Sequence, residues 1–133
     1  MKNIILAAIL SITPCFASSP EVLKSYLVIQ VALAADSMKG VPAAAAKIAK
    51  GTKVEKLKAA AEILAKDNDL EAARIHFKAV SKPMVEWAVT TKPKGIDRAT
   101  CPMTEEGHWL QKKGPIRNPY YGSTMLECGL VQQ

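Results

Sequence analysis

An abrupt change of composition near Thr91 is the feature of this sequence that most restricts its fold. The residues from about 18 to 91 are rich in Ala, Lys and Leu, whereas residues 92–133 contain five glycines and four prolines. Such a density of turn signals excludes another long helix from the C-terminal part. The two parts therefore require separate explanations, one based on helices and one based on short elements.

Four segments before this change carry helix signals. Their predicted bounds are about 18–37, 41–51, 54–64 and 70–92. In the fourth segment, apolar residues recur at three- and four-residue spacing, which is typical of one buried helix face. These residues are Leu70, Ala73, Phe77, Val80, Met84 and Trp87. We therefore predict an all-α fold, a four-helix bundle with an irregular C-terminal segment packed against it.

The first of these helices differs from the others because its apolar residues cover more than one stripe. They include Leu23, Tyr26, Leu27, Ile29, Val31 and Leu33. A helix that is apolar on several sides is typically buried against several neighbours. We therefore expect it to occupy a central place in the bundle.

The N-terminus reads as a cleavable export signal. Lys2 supplies a positive start, Ile4–Ile12 is a short apolar stretch, and small residues follow at Cys15 and Ala17. This stretch is too short to cross a bilayer. We predict a signal peptide over residues 1–17 and one periplasmic domain over residues 18–133. Lipidation of Cys15 is a rival interpretation, but Pro14 does not suit such a site.

The formal net charge of +6 raises the question of an anionic partner. Export argues against nucleic acid, and the lysines are spread along an Ala-rich helical stretch with no interleaved aromatic residues. No other apolar run reaches membrane-spanning length. The predicted protein therefore binds no nucleic acid and has no membrane insertion after removal of the signal.

Two sulfur pairs in the C-terminal part can carry chemistry. Cys101 is followed by Met103, and Met125 is followed by Cys128. Thiolates and thioethers are soft ligands that select Cu(I), and Ag(I) by the same argument, over hard cations. His108 lies between the pairs and could complete a copper site. We regard the segment over about 92–133 as a candidate metal-binding segment.

The same residues allow an interpretation without metal. Cysteines in an exported domain commonly pair, and methionines fill cores. A disulfide between Cys101 and Cys128 would close a loop of about 28 residues and stabilise the fold by roughly 3.5 kcal/mol. Trp109 could cover a cation or anchor the segment to the core, and the anchor is the commoner role of a buried tryptophan. Spacing alone leaves both interpretations open.

Evidence for catalysis is weak in this sequence. Neither histidine stands beside a nucleophile in a recognisable motif, and the sequence shows no phosphate-binding loop and no paired catalytic carboxylates. We therefore do not predict an enzyme.

The C-terminal motifs resemble those of a family of uncharacterised exported bacterial domains. The resemblance rests on Cys101-Pro102-Met103, Trp109-Leu110-Gln111, Ile116 to Gly122 and Met125 to Gly129, and it extends to the first helix around Tyr26 to Ala34. Domains of that family occur alone or fused to periplasmic adaptor (membrane fusion) proteins of copper/silver efflux systems.

The resemblance implies a helical bundle with a copper-associated C-terminal segment. Cys101, Met103, Met125 and Cys128 fall on the motif positions, whereas His108 does not match the family pattern. It also implies a periplasmic Cu(I)/Ag(I)-binding protein that sequesters metal or delivers it to a heavy-metal efflux adaptor or a copper chaperone, with a role in heavy-metal resistance. The alternative is a disulfide-stapled periplasmic interaction module without metal.

Overall fold

The computed structural model describes residues 19–133, and the predicted signal peptide with Cys15 lies outside them. Four helices come first: α1 Pro20–Ala34, α2 Val41–Gly51, α3 Glu55–Leu64 and α4 Leu70–Thr91. Three short strands follow: β1 Ile96–Thr100, β2 His108–Lys112 and β3 Leu130–Gln132, with a 3-10 turn at Gly122–Thr124 before β3. None of the helices over residues 19–133 is long and apolar enough to cross a membrane.

The prediction of an all-α fold is wrong, because the C-terminal part forms a three-stranded antiparallel sheet of order β2-β1-β3. The protein is mixed, with 53% helix and 11% strand. Strands β1 and β2 pair from Ile96 opposite Lys112 to Thr100 opposite His108. The glycines and prolines that exclude a long helix are compatible with this sheet, because they fall between the strands and not within them.

The helix bounds follow the predicted ones closely, with one difference at the end of α1. This helix stops at Ala34, before the predicted Ser37, because Asp36 adopts a left-handed backbone conformation with φ 54°. The Ser37 N–H then donates to the Ala32 carbonyl, a closure typical of helix C-termini. The bounds of α2 are confirmed, and α4 ends at Thr91 with Lys92 as its C-cap, within one residue of the predicted end.

The core joins the helices to the sheet through aromatic residues. The rings of Tyr26 in α1 and Phe77 in α4 stack with centroids 5.1 Å apart. The Tyr26 hydroxyl contacts Ser81 of α4 at 2.6 Å and accepts from the Leu110 N–H of β2 at 3.1 Å. A single buried hydroxyl thereby connects two helices and a strand, and no polar atom of this group is left unpaired.

Trp109 of β2 anchors the C-terminal part in the core, as the commoner of its two interpretations predicts. Its side chain is fully buried, and its ring meets that of Tyr120 edge to face at 6.0 Å. The indole N–H donates to the Gln111 side-chain oxygen at 3.0 Å, and the same oxygen accepts from the Arg117 N–H. The chain after β2 is therefore held across the sheet by buried polar contacts as well as by apolar packing.

Candidate functional site

The two cysteines meet at one end of the pair formed by β1 and β3. Thr100 lies opposite Leu130 in this antiparallel pair. Cys101 directly follows Thr100, and Cys128 lies two residues before Leu130. The antiparallel register therefore brings together two residues that are 27 positions apart in the chain.

Two glycines, Gly107 and Gly129, allow neighbouring segments of the chain to pack closely beside the cysteines. A β-carbon on Gly129 would lie 2.7 Å from the Trp109 ring and 3.3 Å from the Thr100 carbonyl oxygen. A β-carbon on Gly107 would collide with the Thr104 side chain and lie 3.2 Å from the β-carbon of Cys101. A larger residue at either position would push the turns that carry the cysteines out of place.

The two thiols differ in their environment. Cys101 is buried and Cys128 is half-buried, and both are free thiols. Desolvation raises the pKa of Cys128, and the neighbouring Cys101 thiol raises it further. The register of β1 with β3 and this influence of one thiol on the other indicate that the two side chains are neighbours.

Asn118 fixes the backbone around Cys128. Its fully buried side chain donates to the Cys128 carbonyl at 2.7 Å. Its side-chain oxygen accepts from the N–H groups of Tyr120 and Tyr121, at 2.8 and 3.2 Å. One side chain therefore closes its own turn and holds the backbone of the cysteine in place.

The two methionines lie on the turns that carry the cysteines. The Thr104 N–H donates to the Cys101 carbonyl at 3.4 Å, and the Cys128 N–H donates to the Met125 carbonyl at 3.1 Å. Met103 is 61% exposed, and Met125 is half-buried. The four sulfur-containing residues thus share one end of the sheet, with only the Met103 side chain directed largely to solvent.

The Tyr121 hydroxyl connects the two turns. It donates to the Met103 carbonyl at 3.0 Å, and the Tyr121 N–H is itself held by Asn118. No sequence pattern identified Tyr121 or Gly129 as supports of the candidate site, because each acts through a residue distant in the chain.

His108 lies on the opposite face of the sheet from Cys101. The Cys101 N–H donates to the Gly107 carbonyl at 2.8 Å, so Cys101 pairs with Gly107, and the next residue of β2 points to the other face. His108 there lines a small pocket with Lys82, Val85, Glu86 and Glu106. Its Nδ1 is buried without a hydrogen-bond partner among the described residues. The structure does not bring this imidazole to the thiols.

Within residues 19–133, no three side chains of His, Cys, Asp or Glu come together as they would around a metal ion. The donors at this end of the sheet are two thiols and nearby thioethers, and they suit a soft monovalent ion.

Comparison of the chain with protein-family models, with curated proteins and with solved structures finds no match to any of them.

Proposed function

We propose that this protein binds Cu(I), or Ag(I) in its place, between Cys101 and Cys128. The observation that supports the proposal is the meeting of these two cysteines beside two methionines at one end of the β1–β3 pair. A soft ion with a filled d shell accepts two thiolates with few further ligands, and soft thioethers can join them. The half-buried Met125 is suited to supplement the thiolates, and the exposed Met103 is suited to first contact with the ion.

Binding would exchange protons for metal at the thiol pair. Each thiol loses its proton when it ligates, so one Cu(I) ion replaces two protons and leaves a complex of one net negative charge. Lys78 offers a positive charge near this site, because its ammonium donates to the Thr104 hydroxyl at 2.8 Å. Thr104 belongs to the turn that begins at Cys101, so the complex would form beside a cation.

The proposed role is sequestration of the ion or its delivery to an efflux adaptor or copper chaperone in the periplasm. The burial of Cys101 would protect the bound ion, and the partial exposure of Cys128 would give a partner's thiol access to it. Exchange between thiolates then needs no oxidant, because the ion keeps its charge and only the ligands change.

The second candidate is a disulfide-stapled interaction module without metal. The same proximity of the cysteines favours it in an oxidising compartment. In that case the bridge would restrain the segment from Cys101 to Cys128, and the methionines would serve as packing or docking residues.

The experiment that separates these functions is an anaerobic competition for Cu(I) between the fully reduced protein and a chromophoric chelator. We expect the protein to withdraw one equivalent of Cu(I). The double variant Cys101→Ser with Cys128→Ser should lose this ability, and Met103→Leu with Met125→Leu should weaken it at least about tenfold. Met38→Leu makes the same chemical change in the loop after α1 and should have no effect.

Failure of the reduced wild-type protein to compete for Cu(I) would overturn the proposal. Mass spectrometry of untreated protein then tests the second candidate, because a disulfide removes two hydrogen atoms from the mass. A protein that is oxidised throughout and does not bind Cu(I) even after reduction would be the stapled module.

A further inference from the structure

Helix α1 keeps an uncovered apolar stripe. Its inner face is buried against α2, α4 and β2, but Leu23 and Leu27 are only half-buried. Val28 is 45% exposed and Val31 is 59% exposed. The apolar residues on several sides of α1 predicted burial against several neighbours, and the fold supplies neighbours for only one side.

This stripe forms the floor of a groove of about 920 Å³. The opposite wall comes from the end of β2 and the chain after it, through Gln111, Lys112 and Pro115. The groove follows α1 from Pro20 to Ala35, and 15 helical residues extend over about 22 Å. An exposed apolar surface of this kind typically marks an interaction site.

The charged residues that line the groove have one sign. Lys24 and Lys39 contribute to it from the α1 side, and Lys112 and Arg117 from the sheet side. Among the described residues that line the groove, none is acidic. A ligand complementary to this surface must therefore combine an apolar face with negative charge on both flanks.

The groove and the thiol pair are separate sites. Lys112 lines the groove and ends β2, whereas Gly107, which pairs with Cys101, precedes the start of β2. Five strand residues place about 14 Å between the ends of β2. Occupation of one site therefore leaves the other accessible.

We propose that this groove binds an amphipathic helix of a partner protein that carries acidic residues along both edges of its apolar face. A helix 10–12 Å wide can lie with its apolar face along the open groove, and four turns of it match the length of α1. Lysine and arginine on opposite walls then face its two acidic edges. This inference goes beyond the proposed metal binding and does not depend on it.

The test uses fluorescence anisotropy with a labelled 18-residue helical peptide. Its leucines follow the i, i+3, i+4, i+7 pattern and glutamates flank them on both sides. A second peptide keeps the leucines and replaces each glutamate with lysine. We expect the purified protein to bind the acidic peptide at least about tenfold more tightly than the basic one, with a preference that weakens as salt is added.

Two variants locate the binding. Val31→Glu places a charge on the groove floor and should weaken binding of the acidic peptide at least about tenfold. Ile63→Glu is its matched control, because Ile63 is 52% exposed on α3 and lies away from the groove. Reversal of all four lining charges, with Lys24, Lys39, Lys112 and Arg117 each replaced by Glu, should transfer the preference to the basic peptide, a gain that misfolding cannot produce.

Several outcomes would overturn the inference. Equal binding of both peptides, or an equal effect of Val31→Glu and Ile63→Glu, would show that the groove does not select an acidic helix. If the protein forms a dimer and Val31→Glu abolishes that dimer, the stripe would instead be assigned to contact with a second copy of the chain. Binding to anionic phospholipid vesicles without binding of the acidic peptide would assign it to a membrane surface.

Discussion

The backbone of Gly122 lies against the Asp36 carboxylate with no space for a β-carbon between them. The Ser123 N–H donates to this carboxylate at 3.2 Å, and Arg74 of α4 donates to it at 2.6 Å. Arg74 also donates to the Leu33 carbonyl and to a carbonyl of the C-terminal segment. The end of α1, the second turn of α4 and the chain before β3 are therefore joined at one point.

Substitution of Gly122 should disrupt this junction. Gly122→Ala forces a side chain into a left-handed conformation at φ 56° and also drives a methyl group into Asp36 and Arg74. We expect the free energy of unfolding to fall by about 2 kcal/mol or more. Gly95→Ala is the matched control, because Gly95 has φ 76° but nothing within 4 Å of an added β-carbon, and it should cost only about 1 kcal/mol.

Urea unfolding followed by circular dichroism measures both variants. The difference between their free energies of unfolding measures the steric clash of the added methyl group with Asp36 and Arg74, since the backbone strain is common to both variants. Equal losses of stability would show that the junction around Gly122 tolerates a larger residue.

Arg74 should matter more to stability than its acidic partner. Arg74→Met keeps the length of the side chain but removes its hydrogen bonds to the Leu33 and Pro119 carbonyls. The Leu33 carbonyl still accepts from the Asp36 N–H, and we expect a loss of about 2 kcal/mol. Asp36→Asn keeps a hydrogen-bond acceptor for Ser123 and should cost less. Its effect should also depend on pH, because hydrogen bonds from Ser123 and Arg74 lower the pKa of Asp36.

The sign of that dependence follows from linkage. The ionised carboxylate stabilises the fold at pH values above its unfolded pKa near 3.8, and this stabilisation is lost as the pH falls through the lower folded value. Unfolding curves of the wild-type protein and Asp36→Asn should therefore differ at pH 6 and converge as the pH falls below about 4. A constant difference at all pH values would exclude an electrostatic contribution from Asp36.

The helices could be predicted from the sequence because each buries one face. Phe77 and Met84 of α4 recur at helical spacing and lie in the core as predicted. The sheet could not be predicted in the same way, because Trp109, Leu110 and Gln111 of β2 are all buried. A strand covered on both faces loses the alternation of apolar and polar residues that identifies a strand.

The candidate site was predictable in its residue types but not in its arrangement. Cys101 and Cys128 are recognisable as a pair from the sequence, but their meeting depends on the register of β1 with β3. The position of His108 on the other face depends on the same pairing of strands. Since no sequence pattern indicated these strands, the separation of His108 from the sulfur-containing residues could not be predicted.

Buried tyrosine should make the protein sensitive to alkaline pH. Burial raises the pKa of Tyr26 far above its ordinary value of 10, although its hydrogen bonds to Ser81 and Leu110 oppose this. The neutral hydroxyl is favoured in the folded state, so its stabilisation is complete below pH 10 and is lost as the pH rises toward the folded pKa. The free energy of unfolding should therefore fall steadily above about pH 10.

Comparison with Tyr26→Phe identifies the contribution of this residue. The variant loses the hydrogen bonds of the hydroxyl and should be less stable at pH 7 by about 1–2 kcal/mol. Its stability should then fall less steeply than that of the wild-type protein between pH 9.5 and 11. Parallel pH profiles in urea titrations would show that Tyr26 does not carry the dependence.

The last prediction concerns the support of the thiol pair by Asn118. Asn118→Ala removes the donor to the Cys128 carbonyl and the acceptor for the N–H groups of Tyr120 and Tyr121. We expect the free energy of unfolding to fall by about 2–3 kcal/mol and the turn that carries Cys128 to become more mobile. Disulfide formation between Cys101 and Cys128 under a mild oxidant should then slow, because the sulfurs meet less often. Tyr121→Phe removes only the hydroxyl contact to the Met103 carbonyl and should slow it less. An unchanged rate in folded Asn118→Ala would mean that the strand register alone holds the cysteines together.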